Sequence, residues 1–216
     1  MRAARARWRA AAAAAGVVVL AVGTGCGVGY DREPRALEVE PTTTTTTAAP
    51  STGQVESVLY FVNEGTLLPV ATELPDRELE TVLEALLLPP ATLVPSGTLT
   101  SIPSGTQLLD LSRTDQRRLT INLSTSFNNV VGVSRQQAIG QMVLTATERN
   151  EFDAIEFRVE GEPIVVASPV VGDTRTVTAC DFQPLLATPG DADEAGLPED
   201  MSEVLAARTD QLDDNC

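Results

Sequence analysis

From Val55 onward, hydrophobic and polar positions alternate in runs that predict strands, and these are interrupted by two stretches with helical spacing. "VESVLYFVN" (55–63) and "LLPVATEL" (67–74) read as two strands of a hairpin turned by "EGT". Pro69 places the second strand at a sheet edge, because proline has no N–H for a central ladder. Pro75 and Asp76 then open a helix, with Glu78 and Glu80 at its positive end. Leu79, Val82, Leu83, Leu86 and Leu87 follow the spacing of one buried face, and Pro89 and Pro90 stop the helix. "QLLDLSR" and "RRLTINLS" flank "TDQ" as a second hairpin, and Leu119, Ile121 and Leu123 form the buried face of its second arm. A second helix is predicted from Ser134, with Ser134 and Gln137 as a capping box and Ile139, Met142, Val143 and Ala146 as its stripe. "DAIEFRVEGEPIVVAS" gives a third hairpin and "TVTACDFQPLL" a last short strand.

Strand pairs separated by two one-sided helices predict an α/β (α+β) domain. It would be a two-layer sandwich with a mixed or antiparallel sheet and two helices on one face, over residues 55–186. Residues 187–216 are acidic. "EDMSEVLAARTDQL" shows a weak helical pattern at Met201, Val204 and Leu205, which allows a short helix docked back on the domain, and the acidic tail is otherwise expected to be solvated.

The first 54 residues have a different character. "MRAARARWRA" is basic, and "AAAAAGVVVLAV" is an apolar run of 12 residues, too short for a bilayer, which needs about 20. "GTGC" follows, so residues 1–25 read as a signal peptide. The arrangement resembles a bacterial lipobox, with Gly23 where leucine is usual. That resemblance implies lipidation of Cys26, which would become the mature N-terminus on the outer face of the cell membrane. Residues 26–54, with the run "PTTTTTTAAPSTG", then form a flexible tether.

Composition narrows the chemistry. There is no histidine, which excludes Ser-His-Asp and Cys-His catalysis and imidazole metal sites. After residue 25 the remaining eleven arginines (15 less Arg2, Arg5, Arg7 and Arg9) face 30 acidic residues, for a net charge of −19. Phosphate backbones repel such a chain, so no nucleic-acid partner is expected. Once Cys26 is assigned, Cys180 and Cys216 remain, and outside the membrane they are expected to pair. Free thiols and an intermolecular bridge are the alternatives. No metal site or cofactor is expected.

The order of motifs resembles the GerMN domain of sporulation and germination proteins and of many actinobacterial lipoproteins. The carrying stretches are "LYFVNEGTLLPV", "VLEALLLPP", "LTSIPSGTQLLDL", "LTINLSTSF", "AIGQMVLTATE", "IEFRVEGEPI" and "CDFQPLL". Asn122-Leu123-Ser124 stands where that family favours Asp-Leu-Ser, which argues against aspartate chemistry there. The resemblance implies a small α/β domain, related to ring-building modules of envelope complexes, with no established catalytic residues. Gln141 falls on the family's helix motif, and with Asn122 and Ser124 it is a candidate interaction residue; the favoured alternatives are structural, a hydrogen bond from Gln141 to a neighbouring loop and the ordinary polar needs of a strand-to-helix loop at 122–129. Asp110, Asp115, Asp181, Glu160 and Glu162 are the carboxylates available to a rival reading, a wall hydrolase or glycan-binding domain. The leading reading is a lipid-anchored, non-catalytic module that binds another envelope protein or the wall. Whether it oligomerises is left open.

Overall fold

The structure is a computed structural model that describes residues 53–90, 97–114 and 116–216. The leader, Cys26, most of the tether and Asp115 lie outside the described residues. Strands β1 (Val55–Asn63) and β2 (Thr66–Leu74) pair antiparallel from Asn63↔Thr66 to Val55↔Leu74. Their two-residue turn needs positive φ at both positions, and Glu64 and Gly65 supply 48° and 97°. A loop of this length hydrogen-bonds Asn63 to Thr66 and Phe61 to Leu68, so the main-chain groups of the next pair, Tyr60↔Pro69, point outward. Pro69 therefore costs the ladder nothing.

Helix α1 (Leu79–Leu86) buries Leu79, Val82, Leu83 and Leu86, the face expected from its spacing. The Asp76 carboxylate accepts from the Glu78 N–H at 2.9 Å just before it. Strands β3 (Leu108–Thr114) and β4 (Arg118–Leu123) form the second hairpin, with Leu119, Ile121 and Leu123 inside. β4 then pairs parallel with β5 (Ala154–Val159), and helix α2 (Gly132–Thr147) lies in the crossover between them. Two-residue strands β6 (Glu162–Pro163) and β9 (Thr176–Val177) flank β5. β7 (Val166–Ser168) and β8 (Gly172–Thr174) form a separate ribbon. The third expected hairpin is thus divided, because the chain leaves β5 after two residues of β6. The "TVTACDFQPLL" strand is likewise only its first two residues, and Ala179–Leu185 is a 3-10 helix.

The mixed α/β class read from the sequence is the class observed, and hydrogen bonding divides its strands among three sheets. The centre of the fold is α2. Every residue from Ala138 to Thr147 is buried, not only the predicted stripe. At Gly140 an added Cβ would stand 2.9 Å from Leu67 Cδ1 and 3.1 Å from Phe182 Cδ1, so only glycine lets the helix approach this closely. The predicted capping box at Ser134 does not form. The helix starts earlier, at Gly132, without a side-chain cap. Gln137 instead donates to the Gly65 carbonyl and accepts from the Ser101 hydroxyl, both at 3.0 Å.

The C-terminal segment is more ordered than the solvated tail expected: it forms α3 (Pro189–Ala195) and α4 (Glu199–Asn215), the second being the docked helix that its weak apolar pattern allowed. Thr188 and Asp191 cap α3 reciprocally, and Gly196 ends it at φ 68°. α4 buries Met201, Leu205, Arg208 and Leu212 against β2 and the 179–185 turn. The Cys180–Cys216 disulfide fastens its last residue, with a Cα–Cα distance of 5.6 Å. No described helix is long and apolar enough to cross a membrane.

Candidate functional site

The residues singled out from sequence are dispersed, and most of them serve the fold. Gln141 has no exposed surface. Its side-chain oxygen accepts from the Ser101 N–H at 2.8 Å, and its amide nitrogen donates to the Tyr60 carbonyl at 3.0 Å. Thr145, one turn on, accepts from the Tyr60 N–H at 3.1 Å. The two side chains satisfy the outer edge of β1 that Pro69's pairing leaves open, while Leu99 bridges the same edge at Val62. Gln141 is therefore internal and unavailable to a partner in this conformation. Asn122 accepts from the Gly161 N–H at 2.9 Å, and buried Ser124 accepts from the Gln107 N–H at 2.9 Å. Both fix loops.

The carboxylates do not converge on one another either. Asp181 is buried, but Ser168 and Thr178 occupy it through three hydrogen bonds of 2.7–3.0 Å. Glu160 accepts from the Thr125 N–H at 2.9 Å. Asp110 and Glu162 are exposed. A cavity of about 360 Å³ does gather Glu64, Asp191 and Glu194, but none of the three is buried. There the Thr188 backbone N–H and hydroxyl hold the Asp191 carboxyl below the usual carboxylate range, which suits a cap rather than a proton donor. Among the described residues no group of three acids or cysteines is placed to hold a metal ion.

One buried polar cluster escaped the sequence reading. The Tyr60 hydroxyl donates to Glu148 Oε2 at 2.7 Å, and Arg208 Nε stands 3.7 Å from the same oxygen. Arg208 also donates to the Thr147 carbonyl at 3.2 Å and to its hydroxyl at 2.6 Å. An arginine on α4 thereby clamps the arm to the end of α2. Burial pushes the Tyr60 phenol well above its ordinary value. The Glu148 charge and its hydrogen bond add to this, and Arg208 partly opposes it. A raised folded-state pKa contributes stability that is complete below the unfolded value of about 10 and is lost as pH rises beyond it. At pH 7, Tyr60→Phe should cost about 2 kcal/mol for the lost bond to a carboxylate. Urea titrations at stepped pH should show that gap narrowing above about pH 10. A gap constant to higher pH would contradict this assignment.

The surface that stands out is apolar. Val131, Val133, Val165, Val170 and Val171 are 50–74% exposed. Val133 and Val165 line a groove of about 340 Å³ with Ile139, Val166 and Ala167, and Arg135 and Asp173 are its charged members. The fold builds this surface deliberately. The Ser168 hydroxyl donates to Asp181 and accepts from the N–H groups of both Val170 and Val171, at 3.1 Å each, so a buried pair holds the two valines at the ribbon tip. Arg135 lies 5.0 Å from the Phe127 ring and donates to the Val130 carbonyl, which fixes the start of α2. The sequence does carry a signal for this surface: "VVG" occurs at 130–132 and again at 170–172. Valine at a helix N-cap and in a hairpin turn contradicts local preference, since both positions favour short polar residues.

The model of the Germane family, described as sporulation and spore germination, matches residues 58–165, which is half of the chain. The chain belongs to the Germane family. Among solved structures it is similar to the tandem GerMN domains of the sporulation protein GerM from Bacillus subtilis. The identity is 18% and the TM-score 0.50, over 59% of this chain and 47% of that one. The first GerMN domain of the same protein is 20% identical with a TM-score of 0.47, over 57% of this chain and 95% of that one. The chain thus spans about half the length of the tandem structure, and at this identity the likeness shows the fold alone. No curated protein matches the chain by sequence. The Germane match includes Val131, Val133 and Val165. Val170, Val171, the disulfide, α3 and α4 lie beyond it.

Proposed function

We propose that this chain is a lipid-anchored protein of the cell envelope whose Germane domain is a non-catalytic binding and assembly module on the outer face of the membrane. The observation that carries this reading is the valine surface: Val133 and Val165 exposed at an apolar groove, with Val170 and Val171 exposed on a ribbon tip whose backbone the Ser168–Asp181 pair holds. An apolar groove lined by Val133 and Val165, with exposed Val131, Val170 and Val171 on the segments adjoining its lining in sequence, is the kind of surface that marks interaction sites in soluble domains. The occupant is a protein that inserts aliphatic side chains into the groove and presents basic flanks, because the chain after residue 25 carries a net charge of −19. The leader and Cys26 supply the anchor, and the threonine-rich tether lets the domain stand off the membrane.

The test uses the full chain in its native host. Val133→Asp combined with Val165→Asp should leave the thermal unfolding midpoint unchanged, since both side chains are exposed, but should abolish the high-mass complex on native gels of solubilised membranes. Cys26→Ala should move the protein from the membrane fraction to the soluble fraction. An undiminished complex in the double variant contradicts the docking surface. Peptidoglycan cleavage by the purified protein that is lost on changing one acid to its amide contradicts the non-catalytic assignment.

A further inference from the structure

A second cavity, of about 440 Å³, lies where the end of α4 meets the chain after α2. Its size falls within the ~300–1,000 Å³ of small-ligand sites. Arg117, Asn150, Asp153, Gln211 and Asn215 line it with planar polar groups, and Phe152 and Leu212 supply apolar surface. We propose that this cleft binds an uncharged saccharide. A sugar offers hydroxyls that both donate and accept, and C–H faces that pack on apolar side chains. Amides, guanidinium and carboxylate meet the first need, and the exposed edges of Phe152 and Leu212, otherwise buried, give the second a small apolar floor.

Charge selects the class of ligand. Both guanidinium groups at the cleft already have a carboxylate. Arg117 pairs with Asp153 at 3.0 Å, and Arg208 stands 3.7 Å from Glu148. No unbalanced positive charge remains to call for an anion. The single acid of the lining, Asp153, is engaged, so a cation is not called for either.

The polar groups are held in place before any ligand arrives. Arg117 also donates to the Asn150 carbonyl, and Gln211 donates to the Asn150 side-chain oxygen. Gln211 in turn accepts from Arg208 at 2.9 Å, and its carbonyl accepts from the Asn215 amide at 2.6 Å. The Cys180–Cys216 disulfide fixes the end of α4 beside them. Among the described residues, four groups on the exposed side chains of this lining have no hydrogen bond to the protein: the Asn150 amide nitrogen, the Asn215 amide oxygen, the second oxygen of Asp153 and one terminal nitrogen of Arg117. They are two donors and two acceptors around one space, the complement that a pair of vicinal hydroxyls requires. Arg117 and Asn150 both adopt φ 54°, the left-handed region that non-glycine residues seldom enter. Strain of this kind concentrates at binding sites, where the surrounding contacts hold it. Pre-ordered groups lose little entropy on binding, which favours a weak polar ligand.

The cleft does not involve the valine surface. Only the naming of its ligand as a wall sugar rests on the proposed envelope location, so the two readings fail separately. The test is calorimetric titration of the full-length, detergent-solubilised protein with three probes: a neutral N-acetylglucosamine oligomer, peptide-free wall glycan strands, and an anionic glucuronate polymer. Saturable binding is expected for the first two and none for the third. Binding of the oligomer without the strands assigns the cleft to free sugars rather than the wall, and still supports a saccharide site. Asn150→Asp removes the amide donor, keeps the side-chain shape and tolerates the left-handed backbone. It should weaken binding about tenfold with unchanged thermal unfolding. Val133→Asp combined with Val165→Asp should leave binding intact. No saturable binding of either neutral probe, equal binding of the anionic polymer, or affinity unmoved by Asn150→Asp overturns the proposal.

Discussion

Replacing Cys180 and Cys216 together by serine should lower the stability of the domain by about 4 kcal/mol, the chain-entropy value for a loop of this length. The two cysteines are 36 residues apart, and the loop they close contains all of α3 and α4. A disulfide across a disordered tail would contribute little, because the folded state would keep the same freedom. Here the tail is docked by Met201, Leu205 and Leu212 and clamped by Arg208, so closure removes freedom chiefly from the unfolded chain. Urea unfolding with and without reductant measures this directly, and hydrogen exchange should show α4 opening first in the reduced protein. An unchanged midpoint on reduction would mean that the arm holds without its bridge.

Gln141→Leu should cost about 3 kcal/mol, although the two side chains have similar volume. The change leaves the buried Tyr60 carbonyl and the part-buried Ser101 N–H without partners, and each such group costs about 1–3 kcal/mol. Gln141→Glu should cost more. It keeps an acceptor for Ser101, loses the donor to Tyr60 and places a carboxylate where no surface is exposed. The chemical-denaturation midpoints should therefore rank wild type above Leu above Glu at neutral pH. A Leu variant as stable as wild type would show that water or a relaxed loop replaces both bonds.

The ranking of these two effects bears on what the sequence can show. Helix α1 and strand β4 were legible because each buries one face: Leu79, Val82, Leu83 and Leu86 in one, Leu119, Ile121 and Leu123 in the other. Helix α2 hid its burial, because Gln141, Thr145 and Thr147 look like a solvated face. Each turns its polar group onto a nearby backbone instead: Gln141 and Thr145 onto β1, and Thr147 onto the Val143 carbonyl at 2.7 Å. α4 showed only weakly for a related reason. Its core stripe of Met201, Leu205 and Leu212 is completed by Arg208, a charge that reads as exposed until Thr147 and Glu148 are brought to it. The valine surface was masked by composition. The two Val-Val-Gly segments fell between the predicted elements, and only the fold places them in a helix cap and a ribbon tip. The lipobox reading at Cys26 rests on the sequence.

The central claim is that the valine surface holds a protein partner on the outside of the cell. The direct measurement is site-specific photocrosslinking in intact cells. A photoreactive residue would replace Val133 or Val171 in the full chain, and exposed Glu203 on α4 as a control. The account predicts one discrete protein adduct from both valine positions, lost when Val165→Asp is added, and none from Glu203. Adducts equally abundant from Glu203, or none from either valine, would contradict it.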